Sequence, residues 1–323
     1  MKQFKRIIAF LLSLLTVAAL AAGCTQQTVE PAQTEQTEAE PTIDPNAPLC
    51  DGKTLKLLAV TSSFGLNTTQ LLYDIAKAEG VEEVVIGRLY VSGCTLKMHT
   101  EYAAANEYAY QYTKNDSGTW VTMEGITLEY GLQDEDWDII FVQQGATQAG
   151  IIESYGNYLD TLMEYLQANK TNPNAKFIWN MTWAFQHDNT YATFLSDYKS
   201  DQMTMYNMIM DCVKEKVVPR TDFSLILPTG TAVQNARTSY FGDTLTKDTL
   251  HLNNLGRAIA GYTVFAKLTG KELTEINLGP VNSYDLPDML HLSDSDRQVI
   301  IESVNNAIQN PWGVTPSAFT ETP

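Results

Sequence analysis

The amino-acid sequence predicts an α/β protein with three α/β/α layers around a central parallel sheet of five strands. Short apolar runs alternate with segments in which apolar residues recur at helical spacing. Strands that are apolar on both faces are typical of a parallel sheet that helices cover on both sides. The chain has 323 residues, of which 44% are hydrophobic and 18% charged, so it can bury a substantial core.

Strand-like and helix-like segments alternate along the chain from Leu55. The first strand covers LKLLAV, and helical spacing follows over residues 67–78. The second strand covers EEVVIGRLYV, and helical spacing continues over residues 95–112. Alternating residues then predict a hairpin over residues 119–131 that turns around Glu124-Gly125.

The remaining strands follow the same pattern up to the closing helices. The third strand is DWDIIFVQQG, with a helix over residues 155–169, and the fourth is AKFIWNMTW, with a helix rich in Met and Tyr after it. The fifth strand is FSLILPTG, and the last two helices end at Gly270 and cover residues 293–309. A single set of strands without internal repeats predicts one folded domain.

The amino terminus predicts an export signal over residues 1–23. Basic residues precede a short apolar stretch, and the segment LAAGC ends at Cys24. This segment resembles a bacterial lipobox, which implies that Cys24 is diacylated and anchors the chain to the cell membrane, facing outside the cytoplasm. The alternative is a plain secretory signal with an incidental cysteine.

Composition divides the rest of the chain into three parts. Residues 24–50 are rich in Thr, Glu, Gln and Pro and predict a flexible tether. Residues 51–312 form the predicted folded domain, and residues 313–323 a carboxyl-terminal tail.

Charge and cysteine content exclude several classes of protein. The signal holds three of the 21 Lys and Arg residues and none of the 38 Asp and Glu residues, so its removal leaves a formal charge of −20. A chain this acidic repels phosphate backbones, which argues against nucleic-acid binding. Cys50 can pair with Cys94 or Cys212, and the sequence leaves that pairing open. No Cys or His spacing is typical of zinc, and we expect neither metal nor cofactor.

Polar side chains follow four of the predicted strands at the point where each strand ends. Ser63 follows the first strand, SGCT (residues 92–95) the second, QQGATQ (residues 143–148) the third, and TWAFQHD the fourth. Ligands of open parallel sheets bind beyond the carboxyl ends of the strands, so these residues should lie close together. Asp248 and His251, in the segment KDTLHLNN, form an Asp-x-x-His arrangement.

These residue types suit nucleophilic catalysis. A serine hydroxyl becomes a good nucleophile when a neutral histidine takes its proton. Asp248 can fold back onto the imidazole of His251 and set its tautomer.

The motifs resemble the SGNH (GDSL-like) hydrolase superfamily, in particular its DUF4886 branch, from about Leu55 to Gly270. The segment AVTSSFGLN resembles the block that carries the nucleophile, which implies Ser63. YVSGCTL resembles the oxyanion block with Gly93, and KDTLHLNN carries Asp248 and His251. The resemblance implies a three-layer, flavodoxin-like fold. The resemblance also implies an oxyanion hole that includes the backbone N–H groups of Ser63 and Gly93. The Gly-x-Asn of the third block is replaced, so Gln143 or Gln144 is the expected amide donor in that hole.

Each residue also has a structural interpretation. Ser63 or Asp248 can cap a helix, and Gly93 can simply turn the chain. Trp179, Trp183 and His187 are candidate substrate-pocket residues, since indole faces stack on sugars, but both tryptophans can equally be core. His99 and His291 are expected at the surface or on helices.

We therefore expect a lipid-anchored serine esterase that removes a small acyl group, such as acetyl, from a glycan or another small ester. The acetyl group and the glycan come from the family resemblance. The alternative is a non-catalytic, cell-surface glycan-binding lipoprotein on the same fold, which the altered third block keeps open. A solute-binding lipoprotein fits less well, because such proteins usually have two similar lobes.

Overall fold

The computed structural model describes residues 48–282 and 286–321. The predicted signal, the lipidation site at Cys24 and most of the predicted tether lie outside these residues. The strands are β1 (Thr54–Thr61), β2 (Glu83–Tyr90), β3 (Tyr110–Asn115), β4 (Val121–Ile126), β5 (Ile139–Val142), β6 (Lys176–Asn180), β7 (Phe223–Leu227), β8 (Val281–Asn282) and β9 (Met289–Leu290).

The helices fill the connections between these strands. They are α1 (Ser63–Thr69), α2 (Leu72–Ala78), α3 (Leu96–Ala105), α4 (Leu128–Gln133), α5 (Tyr158–Asn169), α6 (Ala192–Ser196), α7 (Gln202–Lys216), α8 (Thr229–Arg237), α9 (Asn254–Thr269) and α10 (Asp294–Gln309). The sequence predicts one helix over residues 67–78, but α1 and α2 are separate. Helix α8 was not predicted. None of the described helices is long and apolar enough to cross a membrane.

The central sheet has seven strands in the order β4-β3-β2-β1-β5-β6-β7. Five of them, β2, β1, β5, β6 and β7, are parallel, which agrees with the predicted parallel strands. The total of five strands is wrong, because the antiparallel hairpin β3-β4 extends the sheet beside β2. The order reverses between β1 and β5, both of which are almost entirely buried.

The hairpin lies elsewhere than the sequence predicts. Helix α3 ends at Ala105 because Asn106 adopts a left-handed backbone (φ +46°), and the chain becomes β3 at Tyr110. The turn covers residues 116–120, not Glu124-Gly125. Tyr110 and Tyr112 continue the helical spacing of the apolar residues before them, so the sequence pattern predicted a helix where the structure has a strand. Both tyrosine rings are buried.

Helices pack in two groups around the sheet. One group contains α3, α4 and α5, and the other contains α1, α2, α8, α9 and α10. Residues 313–321, expected as a tail, lie against the end of α8: Thr315 and Ser317 each donate a backbone N–H to an α8-end side chain at 2.8 Å. Cys50, Cys94 and Cys212 are buried free thiols, so no disulfide forms among them.

Candidate active site

Ser63 lies where β1 passes into α1. Ser62 has an extended backbone (φ −105°, ψ −167°), so Ser63 is the first helical residue. Gly65 allows this sharp change of direction, because a Cβ atom there would lie 1.8 Å from Thr61 Oγ1. As in any first helical turn, the Ser63 N–H has no acceptor within the helix. Its hydroxyl and N–H are thus both presented at the carboxyl edge of the sheet.

Asp248 and His251 lie on a short turn before α9. The Lys247 N–H donates to the His251 carbonyl at 2.8 Å, which closes the turn. Asp248 Oδ1 accepts the backbone N–H groups of Leu250 at 3.2 Å and of His251 at 2.7 Å. The carboxylate thus folds back over its own turn, and its second oxygen faces the imidazole.

The three candidate side chains form one hydrogen-bonded chain. His251 Nδ1 lies 2.8 Å from Asp248 Oδ2, and His251 Nε2 lies 2.9 Å from Ser63 Oγ. An ionised carboxylate can only accept, so in the neutral imidazole Nδ1 carries the proton and Nε2 accepts a hydrogen bond from the Ser63 hydroxyl. This tautomer is the one that general-base catalysis by histidine requires.

Hydrogen bonds keep the Asp248 carboxyl group ionised. Burial alone would raise its pKa, but the backbone N–H and imidazole of His251 and the N–H of Leu250 outweigh that effect. The pKa of Asp248 therefore lies below its ordinary value of 3.8. The carboxylate is charged at neutral pH and able to orient the imidazole.

Buried aromatic rings pack against the imidazole of His251. Phe64, next to the candidate nucleophile, stacks on Trp183 with ring centroids 4.0 Å apart and planes 8° apart. The rings of Phe64 and His251 form a T-shaped pair, with centroids 6.0 Å apart and planes at 71°. Trp183 Nε1–H also donates to the Leu250 carbonyl at 3.0 Å. The packing of Phe64 and Trp183 thus limits the positions that the Asp248–His251 turn can take.

Gly93 lies in a tight turn after β2. The turn is closed by a 3.2 Å hydrogen bond from the Cys94 N–H to the Val91 carbonyl. Gly93 has a left-handed backbone (φ +63°), which favours glycine. A Cβ atom at Gly145, after β5, would lie 2.5 Å from the Cys94 carbonyl oxygen. The loops at the switch point are therefore in close contact, and glycine at 145 permits it.

The two candidate glutamines are buried and differ in their contacts. Gln144 Nε2 donates to the carbonyl and hydroxyl of Ser154 at 3.1 and 3.0 Å, and its Oε1 accepts the N–H groups of Leu96 and Gly145. Both ends of that amide are occupied in holding loops together, so the expectation of Gln144 as an oxyanion donor is wrong. Gln143 Nε2 donates to Ser62 Oγ at 3.3 Å, one residue from the candidate nucleophile.

The predicted sugar-stacking role of the two tryptophans is wrong, because both are core residues. Trp179 is 1% exposed and packs against Tyr155 and Phe223, with centroids 5.8 and 5.6 Å away. Trp183 is 0% exposed beneath Phe64. Trp179 lies on β6, which is covered on both faces, and Trp183 lies in the segment that follows this strand. Neither ring face is open to a ligand.

His187 lies at the surface after β6, with its side chain 70% exposed. Its Nδ1 lies 2.8 Å from Asp243 Oδ2, which also accepts its backbone N–H. His99, expected at the surface or on a helix, is on α3 but fully buried, with Nδ1 2.8 Å from Tyr110 Oη. His291 is exposed. Across residues 48–282 and 286–321, no three His, Cys, Asp or Glu side chains could hold a metal ion together.

Sequence reasoning missed the residues that hold the turn from other elements. Asn67 Oδ1 on α1 accepts the Leu252 N–H at 2.8 Å. Asn189, after β6, binds Thr249 within the turn. Both asparagines are buried, but nothing local distinguishes them from loop or helix residues. Gly65 and the Asp-x-x-His spacing were the local signals available.

The fold and this arrangement define an α/β protein with Ser, His and Asp side chains joined at the carboxyl edge of a parallel sheet. The chain belongs to the DUF4886 family, described as a domain of unknown function, whose model matches residues 56–285. It is 31% identical to a DUF4886 family protein of known structure from Bacteroides uniformis, with a TM-score of 0.74 over 83% of this chain and 100% of that one.

Two more distant structures are also similar to parts of the chain. One is a putative GDSL-like lipase from Parabacteroides merdae (15% identity, TM-score 0.41), which matches 68% of this chain and 97% of its own. The other is a carbohydrate esterase family 3 protein from Talaromyces cellulolyticus (14% identity, TM-score 0.40), with the same coverage. Neither similarity bears on which reaction this chain performs. No curated protein matches the chain significantly.

Proposed function

We propose that the protein is a serine esterase in which Ser63 is the nucleophile, His251 the general base and Asp248 the residue that orients His251. The observation that carries the proposal is the unbroken Ser63–His251–Asp248 chain, with contacts of 2.9 and 2.8 Å. Three residues from two distant parts of the chain meet in the order and tautomer that acyl transfer needs.

The reaction proceeds in two balanced half-reactions. Ser63 Oγ attacks the ester carbonyl carbon while His251 Nε2 takes the hydroxyl proton. The tetrahedral intermediate then releases the alcohol, which receives that proton from His251, and leaves an acyl-serine. In the second half, His251 takes a proton from water, the resulting hydroxide attacks the acyl-serine, and Ser63 regains a proton as the acid leaves.

Backbone donors supply most of the proposed oxyanion hole. The N–H of Ser63 and the N–H of Gly93 make none of the described hydrogen bonds and are the two main-chain donors that the motifs assign. Gln143 is the remaining side-chain candidate, because its amide lies beside Ser62. Each preorganised donor of this kind contributes about 10²- to 10³-fold to turnover.

The substrate and location extend this proposal. We propose a small acyl group, such as acetyl, on a glycan or other small ester, and an exported protein anchored through Cys24. The acidic folded part supports an uncharged or cationic substrate over a polyanionic one.

Hydrolysis of p-nitrophenyl acetate tests the proposal with residues 44–323. The parent should be active, and Ser63→Ala should fall to the background rate. The matched control is Ser62→Ala, which removes a neighbouring buried hydroxyl with no contact to His251. It should keep activity within about tenfold, because only a supporting hydrogen bond is lost.

Other outcomes separate the two functional classes. Equal activity of the parent and Ser63→Ala would contradict a catalytic serine. A folded parent with no activity on p-nitrophenyl acetate or on acetylated sugars, but with measurable glycan binding, would favour the glycan-binding lipoprotein.

A further inference from the structure

Thr249, between Asp248 and His251, has an unfavourable backbone conformation. Four described residues other than glycine have a positive φ, and Thr249 (φ +65°) is the only β-branched one among them. β-Branched residues strongly disfavour the left-handed region. Such strain persists only where surrounding contacts hold it in place.

The segment after β6 provides those contacts. Asn189 Nδ2 donates to Thr249 Oγ1 at 2.8 Å and to the Thr249 carbonyl at 3.2 Å. The Gln186 N–H donates to the same carbonyl at 2.9 Å. Both the side chain and the main chain of Thr249 are thus bound from outside its own turn.

Asn189 is itself fixed in one orientation. It is 5% exposed, and its Oδ1 accepts the Tyr191 N–H at 2.8 Å. This contact makes Oδ1 the acceptor and directs both amide hydrogens to Thr249. Asn189 therefore has a rigid donor aimed at the one residue of the turn that needs support.

We propose that Asn189 is a positioning residue that holds Thr249 left-handed, so that Asp248 Oδ2 stays in hydrogen-bond reach of His251 Nδ1. Its importance for turnover rests on the proposed esterase function. If the clamp is lost, Thr249 can relax toward negative φ, which turns the peptide planes on either side of it. Asp248 directly precedes Thr249 and His251 follows it by two residues, so the 2.8 Å contact between Asp248 and His251 should lengthen.

The test combines Asn189→Ala with a substitution that removes the strain. Asn189→Ala should lower kcat for p-nitrophenyl acetate about 10- to 100-fold, with KM within about twofold, because a misplaced base slows chemistry and not binding. Glycine adopts positive φ freely, so the double variant Asn189→Ala/Thr249→Gly should have a kcat at least about threefold higher than that of Asn189→Ala. A purely structural role of Asn189 would give no such recovery.

A matched control removes a similar asparagine far from the turn. Asn305 on α10 also makes two hydrogen bonds to one backbone residue, Leu273, at 3.0 and 2.8 Å. Asn305→Ala should lower thermal stability but leave kcat unchanged. The proposal is overturned if Asn189→Ala behaves in the same way, or if the double variant is no faster than Asn189→Ala.

A second readout does not depend on esterase activity. Proton NMR detects the His251 Nδ1–H, shared with a carboxylate, as a far-downfield resonance. It should disappear in Asn189→Ala and return in the double variant, even if the parent hydrolyses no ester. An inactive parent would therefore refute the proposed function alone, whereas a resonance that survives Asn189→Ala would refute the clamp.

Discussion

Two histidine–aspartate pairs lie near the carboxyl edge of the sheet, and both have a 2.8 Å contact between Nδ1 and a carboxylate oxygen. His251 is 25% exposed and has Ser63 on its other nitrogen. His187 is 70% exposed, and the described residues provide no partner for its Nε2. A short His–Asp contact alone therefore does not distinguish the two pairs, whereas the serine hydroxyl beside His251 does.

The carboxylates of the two pairs also differ. Asp248 is held mainly by N–H groups of its own turn, and its side chain is 46% exposed. Asp243 is 19% exposed and lies 2.8 Å from Nε of buried Arg237. Burial lowers the pKa of Arg237 to about 10, despite the opposing effect of Asp243, so the pair is charged at neutral pH. The comparison predicts that Asp248 serves turnover and Asp243 serves stability.

The largest expected effect is on turnover, from Asp248→Asn. An amide in place of the carboxylate can donate to His251 Nδ1 and favour the wrong tautomer, so kcat/KM should fall roughly 10⁴-fold. The free energy of unfolding should change by less than about 1 kcal/mol, since Asp248 is half exposed. Steady-state kinetics and urea unfolding measure the two quantities. If Asp248→Asn lowered stability but left turnover unchanged, the prediction that Asp248 serves turnover would be contradicted.

Asp243→Asn should have the opposite profile. It leaves the Arg237 guanidinium buried without its counter-charge, which should lower the free energy of unfolding by about 3 kcal/mol. The kcat should fall less than about tenfold, because Asp243 does not contact the three candidate catalytic side chains. Asp222→Asn, which breaks a more exposed pair with Arg220, is the matched control and should cost about 1 kcal/mol or less. If Asp243→Asn and Asp222→Asn lowered the free energy of unfolding equally, burial of the Arg237–Asp243 pair would not make it more important for stability than the exposed pair.

A third histidine affects the pH dependence of stability. Burial lowers the pKa of His99 from 6.5 to about 3, so it stays neutral in the folded protein while it protonates in the unfolded chain. Stability is therefore complete above pH 6.5 and declines as pH falls, by about 2 kcal/mol between about pH 7.5 and pH 5. Urea unfolding at several pH values, with His99→Asn as the non-titrating control, measures this. If the free energy of unfolding of His99→Asn fell with pH as steeply as that of the parent, groups other than His99 would cause the decline.

The smallest effect is expected for His187→Ala. Its imidazole is mostly exposed, and the backbone N–H of His187 keeps its own hydrogen bond to Asp243. Turnover of p-nitrophenyl acetate should stay within about threefold, and stability within about 0.5 kcal/mol. A tenfold rise in KM for an acetylated sugar alone would assign His187 to the substrate pocket.

Short-range patterns predicted much of the fold and of the candidate site. The five parallel strands are apolar runs, and Asp248 and His251 are three residues apart, so each signal lies within a few residues. Ser63 followed from its place after β1. Long-range features gave no such signal. The burial of Trp179 and Trp183, the hairpin beside β2 and the Asn189–Thr249 contact depend on which segments meet in space.

Covalent labelling with a fluorophosphonate, followed by peptide mass spectrometry, tests the central claim most directly. The account predicts one adduct on Ser63 in the parent and in Ser62→Ala, strongly slowed labelling in His251→Ala, and none in Ser63→Ala. A parent that folds but remains unlabelled, or an adduct that maps to Ser62, would contradict the assignment of Ser63 as the nucleophile.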